Sequence, residues 1–309
     1  MRLFKIIRYG IGTMFKGSIP ALITPFKDGE IDWKAFDQFV EWQIEQGSHG
    51  LVPCGTTGES PTLSHEEHNA IVERCVQIVK QRIPVIAGTG SNSTREAITL
   101  TQHAKDAGAD AALVVTPYYN KPTQEGMYQH FKAIHDAVSI PIVIYNIPGR
   151  CIVDMSVETM ARLAELPNIV GVKDATNDLG RPVTVRREIG PDFCQLSGED
   201  ATAPAFLAQG GVGCISVVAN IAPALSAEMH EAWQAGNLER FAEIRDLLDP
   251  LANDLFCESN PAPVKYAASV LGLCTDQVRR PLLPASDEAR AKVNRAIAHA
   301  GLQPLKAAA

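Results

Sequence analysis

Two hydrophobic periods alternate along the chain. Short runs rich in Val, Ile and Ala recur, and between them lie longer stretches with apolar residues three and four positions apart. Residues 19–24, 50–54, 84–87, 111–115, 141–145, 169–173, 193–196 and 214–218 read as strands. Their starts fall roughly 20–33 residues apart, the size of one strand-plus-helix unit. Residues 32–46 put Phe36, Phe39, Val40 and Ile44 on one helical face. Ser64-His65-Glu66-Glu67 has the form of a capping box opening the next helix, and Ser156 ahead of 157–166 repeats the theme. Eight strands alternating with helices predict an α/β fold, a closed parallel (β/α)8 TIM barrel. A doubly wound open sheet is the alternative. It would carry a glycine-rich dinucleotide fingerprint after its first strand, and Thr24-Pro25-Phe26-Lys27-Asp28-Gly29 is not one.

Beyond Pro223 the pattern is helical throughout, over about 224–235, 237–256, 261–271 and 286–300. The first of these closes the barrel and the others form a C-terminal helical extension. The expected organisation is a non-core segment at 1–13, a catalytic barrel at 14–235 and a helical domain at 236–305, with 306–309 as a tail.

Composition narrows this picture. A length of 309 residues accommodates one barrel of about 250 residues plus an extension. The net charge of −7 argues against a nucleic-acid-binding protein, which presents a basic face. No apolar run approaches the roughly 18 residues of a membrane span. Cysteines stand at 54, 75, 151, 194, 214, 257 and 274 with no CxxC pair, so they read as reduced core thiols of a cytoplasmic protein. The first twelve residues carry Arg2, Lys5 and Arg8, no acid and no signal-peptide core. They read as residues ahead of a natural start at Met14, and deleting 1–13 is expected to leave stability and activity unchanged.

In this barrel class the chemistry sits at the C-terminal ends of the strands. Lys173 closes the apolar run 169–172, and by alternation shares a face with Gly171 while Asp174 points the other way. An interior lysine loses hydration, which favours the neutral amine, a Schiff-base nucleophile. Position alone fits a solvated rim lysine equally well. Tyr145 ends the neighbouring strand and is close enough laterally to move protons, although most tyrosines only pack. The loop Gly55-Thr56-Thr57-Gly58-Glu59-Ser60 offers hydroxyl and amide donors to a carboxylate and lacks the lysine of a P-loop. Arg150 has the guanidinium geometry for a substrate carboxylate, though a lone loop arginine is more often a surface residue. His65 and His68 do not form HExxH, so a metal is not expected there. Gly210-Gly211-Val212-Gly213 precedes the last strand and reads as a tight turn.

The loop 55–60, Thr116-Pro117-Tyr118-Tyr119-Asn120, Tyr145-Asn146-Ile147-Pro148-Gly149-Arg150 and Val172-Lys173-Asp174-Ala175-Thr176 together resemble the dihydrodipicolinate synthase family of pyruvate-dependent class I aldolases. The resemblance runs from about Met14 to Leu302. N-acetylneuraminate lyase and keto-deoxy-sugar aldolases share the wider family, while Arg150 and the paired threonines and tyrosines favour the synthase. The resemblance implies a lyase in which Lys173 forms an imine with pyruvate and the derived enamine attacks aspartate 4-semialdehyde. It implies a proton relay of Tyr145, Thr56 and Tyr119, with Tyr119 reaching in from a neighbouring subunit. Thr57 matches the pyruvate-carboxylate contact, Arg150 the semialdehyde-carboxylate contact, and Gly198 and Ile215 the backbone lining of the imine pocket. Ser60, His65, His68, Asn92, Glu96 and Tyr118 match an allosteric lysine pocket, making L-lysine an expected inhibitor; Pro61 stands where a small residue is common. A homotetramer, a dimer of dimers, is implied, with no metal or organic cofactor. Cys151 departs from the threonine common beside the arginine.

Overall fold

The computed structural model describes residues 15–304; the expectations for residues 1–13, for the start at Met14 and for the tail 306–309 lie outside the described residues. In chain order the elements are β1 (Gly17–Pro20), β2 (Phe26–Lys27), β3 (Glu30–Ile31), α1 (Trp33–Glu45), α2 (His65–Val79), β4 (Ile86–Gly88), α3 (Thr94–Asp106), β5 (Ala111–Val115), α4 (Gln124–Ala137) and β6 (Ile142–Asn146). There follow α5 (Pro148–Cys151), α6 (Val157–Ala164), β7 (Ile169–Asp174), α7 (Arg181–Ile189), β8 (Cys194–Ser197), α8 (Ala203–Ala208), β9 (Gly213–Ser216), α9 (Pro223–Gln234), α10 (Leu238–Asp254), α11 (Ala262–Val270) and α12 (Asp287–His299). The chain forms two compact units, one of residues 84–215 with 15–16, the other of 17–83 with 216–304.

In the first unit β4 to β9 pair in chain order and every pairing is parallel. Parallel neighbours need a crossover, and the sequence supplies at least one helix between each pair, two (α5 and α6) between β6 and β7. Ser93, Thr123 and Ser156 cap α3, α4 and α6, their side chains accepting from the N–H groups of Glu96, Gly126 and Thr159. Each cap fixes where a strand-to-helix loop ends, and those loops carry the candidate chemistry. Val114, Phe131, Ile134, Ile142, Ile144, Met160, Leu163 and Val172 are fully buried between sheet and helices. Each such side chain contributes about 1.5–3 kcal/mol. Gly171 is required by the sheet, because a Cβ there would lie 2.5 Å from the carbonyl oxygen of Cys194 on β8. The glycine run at 210–213 is the expected turn, with Gly210 at φ 102° between α8 and β9.

In the second unit α1 buries Phe36, Phe39 and Val40 as predicted, and Ile44 is half-buried. The capping box of α2 is present in both directions: Ser64 Oγ accepts from Glu67 N–H, and Glu67 Oε2 accepts from Ser64 N–H. Arg74 of α2 pairs with Asp37 of α1, and Arg82, just beyond the end of α2, pairs with Glu41 of α1. Seven of the eight expected strands form. The exception, 50–54, is reduced to a parallel bridge between Ala21 and Val52, with Leu22 N–H donating to Val52 C=O at 2.9 Å. The reason is local, since Pro53 has no N–H to give a ladder and Cys54 turns to φ 56°. A short hairpin of β2 and β3, unanticipated from the pattern, turns on Asp28 and Gly29, both at positive φ. The helices after Pro223 fall where the sequence puts them, within a residue or two at each end. No helix among the described residues is long and apolar enough to cross a membrane.

Candidate active site

Lys173 lies on β7 in register with Tyr145 of β6 and Leu196 of β8. It is 5% exposed and Tyr145 6%, so the rim alternative for this lysine is set aside. Its Nζ sits over the Tyr145 ring, 4.2 Å from the centroid, so the amine and the phenol ring are in direct contact. Alternation turns Asp174 the other way. Its Oδ2 pairs with Arg181 Nε at 3.0 Å and its Oδ1 accepts from the N–H and hydroxyl of Thr176. Burial raises the Asp174 carboxyl above the usual range, and the bonds from Thr176 and the charge of Arg181 oppose that shift. Gly198 follows β8 and donates its N–H to Asp174 C=O. A Cβ on Gly198 would lie 2.8 Å from Ala175 Cβ and 3.1 Å from Lys173 Cε, so the missing side chain is what leaves room for the lysine stem. Ile215, 1% exposed, is on β9.

Arg150 is exposed in α5. Glu199, to which sequence reasoning gave no role, lies within the fields of both Lys173 and Arg150. Burial and then the charge of Asp200 raise its carboxyl pKa, and the two cations lower it. Its signal was its place directly after a strand-end glycine. Cys151 is buried, and burial pushes its thiol up, so it is a packed thiol beside the arginine. Asn92 and Tyr118 come together: the Asn92 amide donates to Tyr118 C=O at 3.2 Å, and the Asn120 amide donates back to Asn92 C=O at 2.8 Å. Glu96, in the first turn of α3, accepts from the Ser91 hydroxyl. Tyr119 is separate from this cluster in character, 90% exposed at φ 71°.

The other expected residues belong to the second unit. Thr56 is half-buried, while Thr57 is 2% exposed and its hydroxyl oxygen accepts from the Asn260 amide at 3.0 Å. The Thr24 hydroxyl donates to Gly58 C=O at 2.7 Å. Glu59 is at φ 57°, and its carboxylate accepts from Lys265 Nζ at 2.7 Å and from Arg279 N–H at 2.8 Å. The Lys265 and Glu59 side chains are 0% and 1% exposed, a buried ion pair. Burial pushes the Lys265 ammonium below its ordinary value, and Glu59 opposes that shift. Ser60 opens a short 3-10 turn; His65 is exposed at the start of α2, and His68, one turn on, is buried. Sequence reasoning missed Asn260, Lys265 and Arg279. A lone lysine inside the otherwise apolar stretch APVKYAASV was the available signal.

These features define an α/β protein of the TIM-barrel class with C-terminal helices and a buried strand-end lysine. The chain matches the Dihydrodipicolinate synthetase family over residues 14–300 and belongs to that family. It is 68% identical over 289 residues to the 4-hydroxy-tetrahydrodipicolinate synthase of Rhodospirillum centenum, covering 94% of this chain and 99% of that one. The chloride-inhibited dihydrodipicolinate synthase of Acinetobacter baumannii complexed with pyruvate shares 49% identity with a TM-score of 0.91, over 93% of this chain and 99% of that one. The enzyme of Cyanidioschyzon merolae with lysine bound shares 38% identity, also at 0.91, over 94% and 99%.

Proposed function

We propose that this chain is a lyase that condenses pyruvate with L-aspartate 4-semialdehyde to give 4-hydroxy-tetrahydrodipicolinate, the entry step of diaminopimelate and lysine biosynthesis. The observation that carries this reading is the burial of Lys173 against the Tyr145 ring, with a stem that Gly198 makes room for. In the reaction the Lys173 amine adds to C2 of pyruvate and water leaves, giving an imine. Loss of a C3 proton gives the enamine, the protonated imine serving as electron sink, so no metal or organic cofactor is needed. The enamine carbon attacks the aldehyde, whose oxygen takes a proton. The amino group of the former semialdehyde then attacks the imine carbon and expels Lys173, so one water is released overall.

Tyr145, Thr56 and Tyr119 are assigned the proton transfers, and Thr57 the pyruvate carboxylate. Arg150 takes the semialdehyde carboxylate, and Gly198 and Ile215 line the imine with backbone. With a net charge of −7, attraction of two anionic substrates falls to such local donors. The exposure of Tyr119 supports its use by a neighbouring copy in a homotetramer built as a dimer of dimers. Ser60, His65, His68, Asn92, Glu96 and Tyr118 are assigned to an L-lysine site, a reading supported by the lysine-bound relative. The assigned organisation is a barrel at 14–235 and a helical domain at 236–305, acting in the cytoplasm.

The test is the initial rate with both substrates, coupled to a reductase that consumes NADPH only when the cyclic product forms. A rate that saturates in each substrate is expected. No rate, with a borohydride-trapped pyruvate adduct still forming, would move the chain to another aldolase acceptor. A parallel L-lysine titration should inhibit; an unchanged rate at saturating lysine would remove the allosteric assignment.

A further inference from the structure

We propose that Asn260 is a positioning residue that fixes the Thr57 hydroxyl as a hydrogen-bond donor to a substrate carboxylate, held in place by the buried Lys265–Glu59 pair. The inference rests on the assignment of Thr57 to pyruvate above.

A hydroxyl has one hydrogen to give and two lone pairs to accept with. The Asn260 amide donates to Thr57 Oγ1 at 3.0 Å. That bond occupies a lone pair and leaves the hydroxyl hydrogen to point at another acceptor. Both residues are buried, Asn260 at 6% and Thr57 at 2% exposed, so water does not reorient the hydroxyl freely. A threonine whose hydroxyl must donate to an anion is better prepared when a second group already donates to its oxygen, because the hydrogen then needs no reorientation on binding.

The geometry is held from two sides. Glu59, two residues after Thr57, accepts from Lys265 Nζ and from Arg279 N–H. Lys265 lies in α11, five residues after Asn260, so one short stretch of chain anchors both ends of the Thr57–Glu59 segment. Phe26 closes the pair over, its ring centroid 4.1 Å from Lys265 Nζ and 4.5 Å from Arg279 Cζ. Glu59 is in the left-handed region, a conformation the two bonds to its carboxylate hold.

The test compares Asn260→Asp and Asn260→Ala with the unaltered full-length chain. Asn260→Asp keeps the shape and puts an acceptor where the donor was, so the threonine hydrogen turns toward the introduced carboxylate rather than toward substrate. The pyruvate concentration for half-maximal borohydride trapping should rise about tenfold or more in Asn260→Asp, from a lost charge-assisted bond and an added like charge. Maximal trapping should be retained, and KM for the semialdehyde should stay within about twofold, since only ground-state binding of one carboxylate is altered. Half-saturation unchanged within about twofold, or both substrates weakened equally, would overturn the proposal, the second pattern marking a loosened fold. If Asn260→Asp does not fold, the cycle of Thr57→Val, Asn260→Ala and the double variant decides. The effect of Asn260→Ala should vanish on the Thr57→Val background, and an equal effect on both backgrounds would refute the assignment. Absence of any adduct in the unaltered protein would instead defeat the functional reading.

Discussion

Lys173 is a long, amine-tipped side chain that the sheet keeps almost wholly out of water. Replacing it with Met fills the same space and removes a desolvation penalty. Lys173→Met is therefore expected to melt no more than about 3 °C below the parent, while losing the pyruvate adduct and all condensation activity. Mass spectrometry after borohydride treatment reads the adduct, and an adduct persisting in Lys173→Met would place the nucleophile elsewhere. Gly198 gives a graded companion. Its added methyl would meet Ala175 Cβ and Lys173 Cε, and overpacking of this kind costs about 1–3 kcal/mol. Gly198→Ala should fold, with kcat lowered about tenfold to a hundredfold as the amine is pushed off its line. A kcat equal to that of the parent would mean the lysine stem has more freedom than its contacts indicate. At this scale the pairing of Lys173 with Tyr145 was legible, because strand alternation and a parallel register are local rules. The bond from Asn260 to Thr57 was not, since 203 residues separate the partners and no periodicity spans them.

At the scale of elements, the capped helices were written in the sequence, and the second strand was over-read. An apolar run signals burial, and only the backbone donors decide whether buried chain becomes a ladder; Pro53 and the left-handed Cys54 end this one. The hairpin at 26–31 was passed over because its two-residue strands are too short to show alternation, although Asp28-Gly29 is a strong turn signal. The loop 55–60 and α11 form one mechanical unit through Lys265 and Glu59, and the energetics of a buried pair are asymmetric. Removing one partner leaves a buried charge uncompensated and costs about 3–5 kcal/mol, whereas removing both charges is often close to neutral. Lys265→Met alone should therefore be strongly destabilised in urea titrations. Glu59→Gln with Lys265→Met should recover most of that loss while still accepting from Arg279 N–H. A double variant as unstable as the single one would show that the packing of the lysine stem, and not its charge, holds the segment.

For the whole molecule, the alternation of strand and helix was the most legible feature, because each element's period is set by its own geometry and repeats along the chain. Buried titratable groups were the least legible, because burial of a histidine depends on what packs over it from distant parts of the chain. His130, on α4, has its Nδ1 against the Thr94 hydroxyl and its ring edge-on to Phe131; burial lowers its pKa to about 4. His230, on α9, is lowered to about 3, by burial first and then by the charge of His49. In the unfolded chain both titrate near 6.5. Above that pH both states hold neutral imidazoles, and the histidines do not affect the pH dependence. Below it the unfolded chain takes up protons that the folded chain refuses, so stability falls as pH falls toward the folded values. The slope reaches about 1.4 kcal/mol per pH unit for each histidine. Between pH 7.5 and 5.5 the parent should lose about 1.3 kcal/mol more than His130→Gln, and His230→Gln should differ from the parent by a similar amount. Urea midpoints at the two pH values measure the difference, and the comparison cancels the carboxylates common to all three proteins. Equal losses in parent and variants would mean that these imidazoles take up protons in the folded state, which requires a water path to rings that the packing encloses.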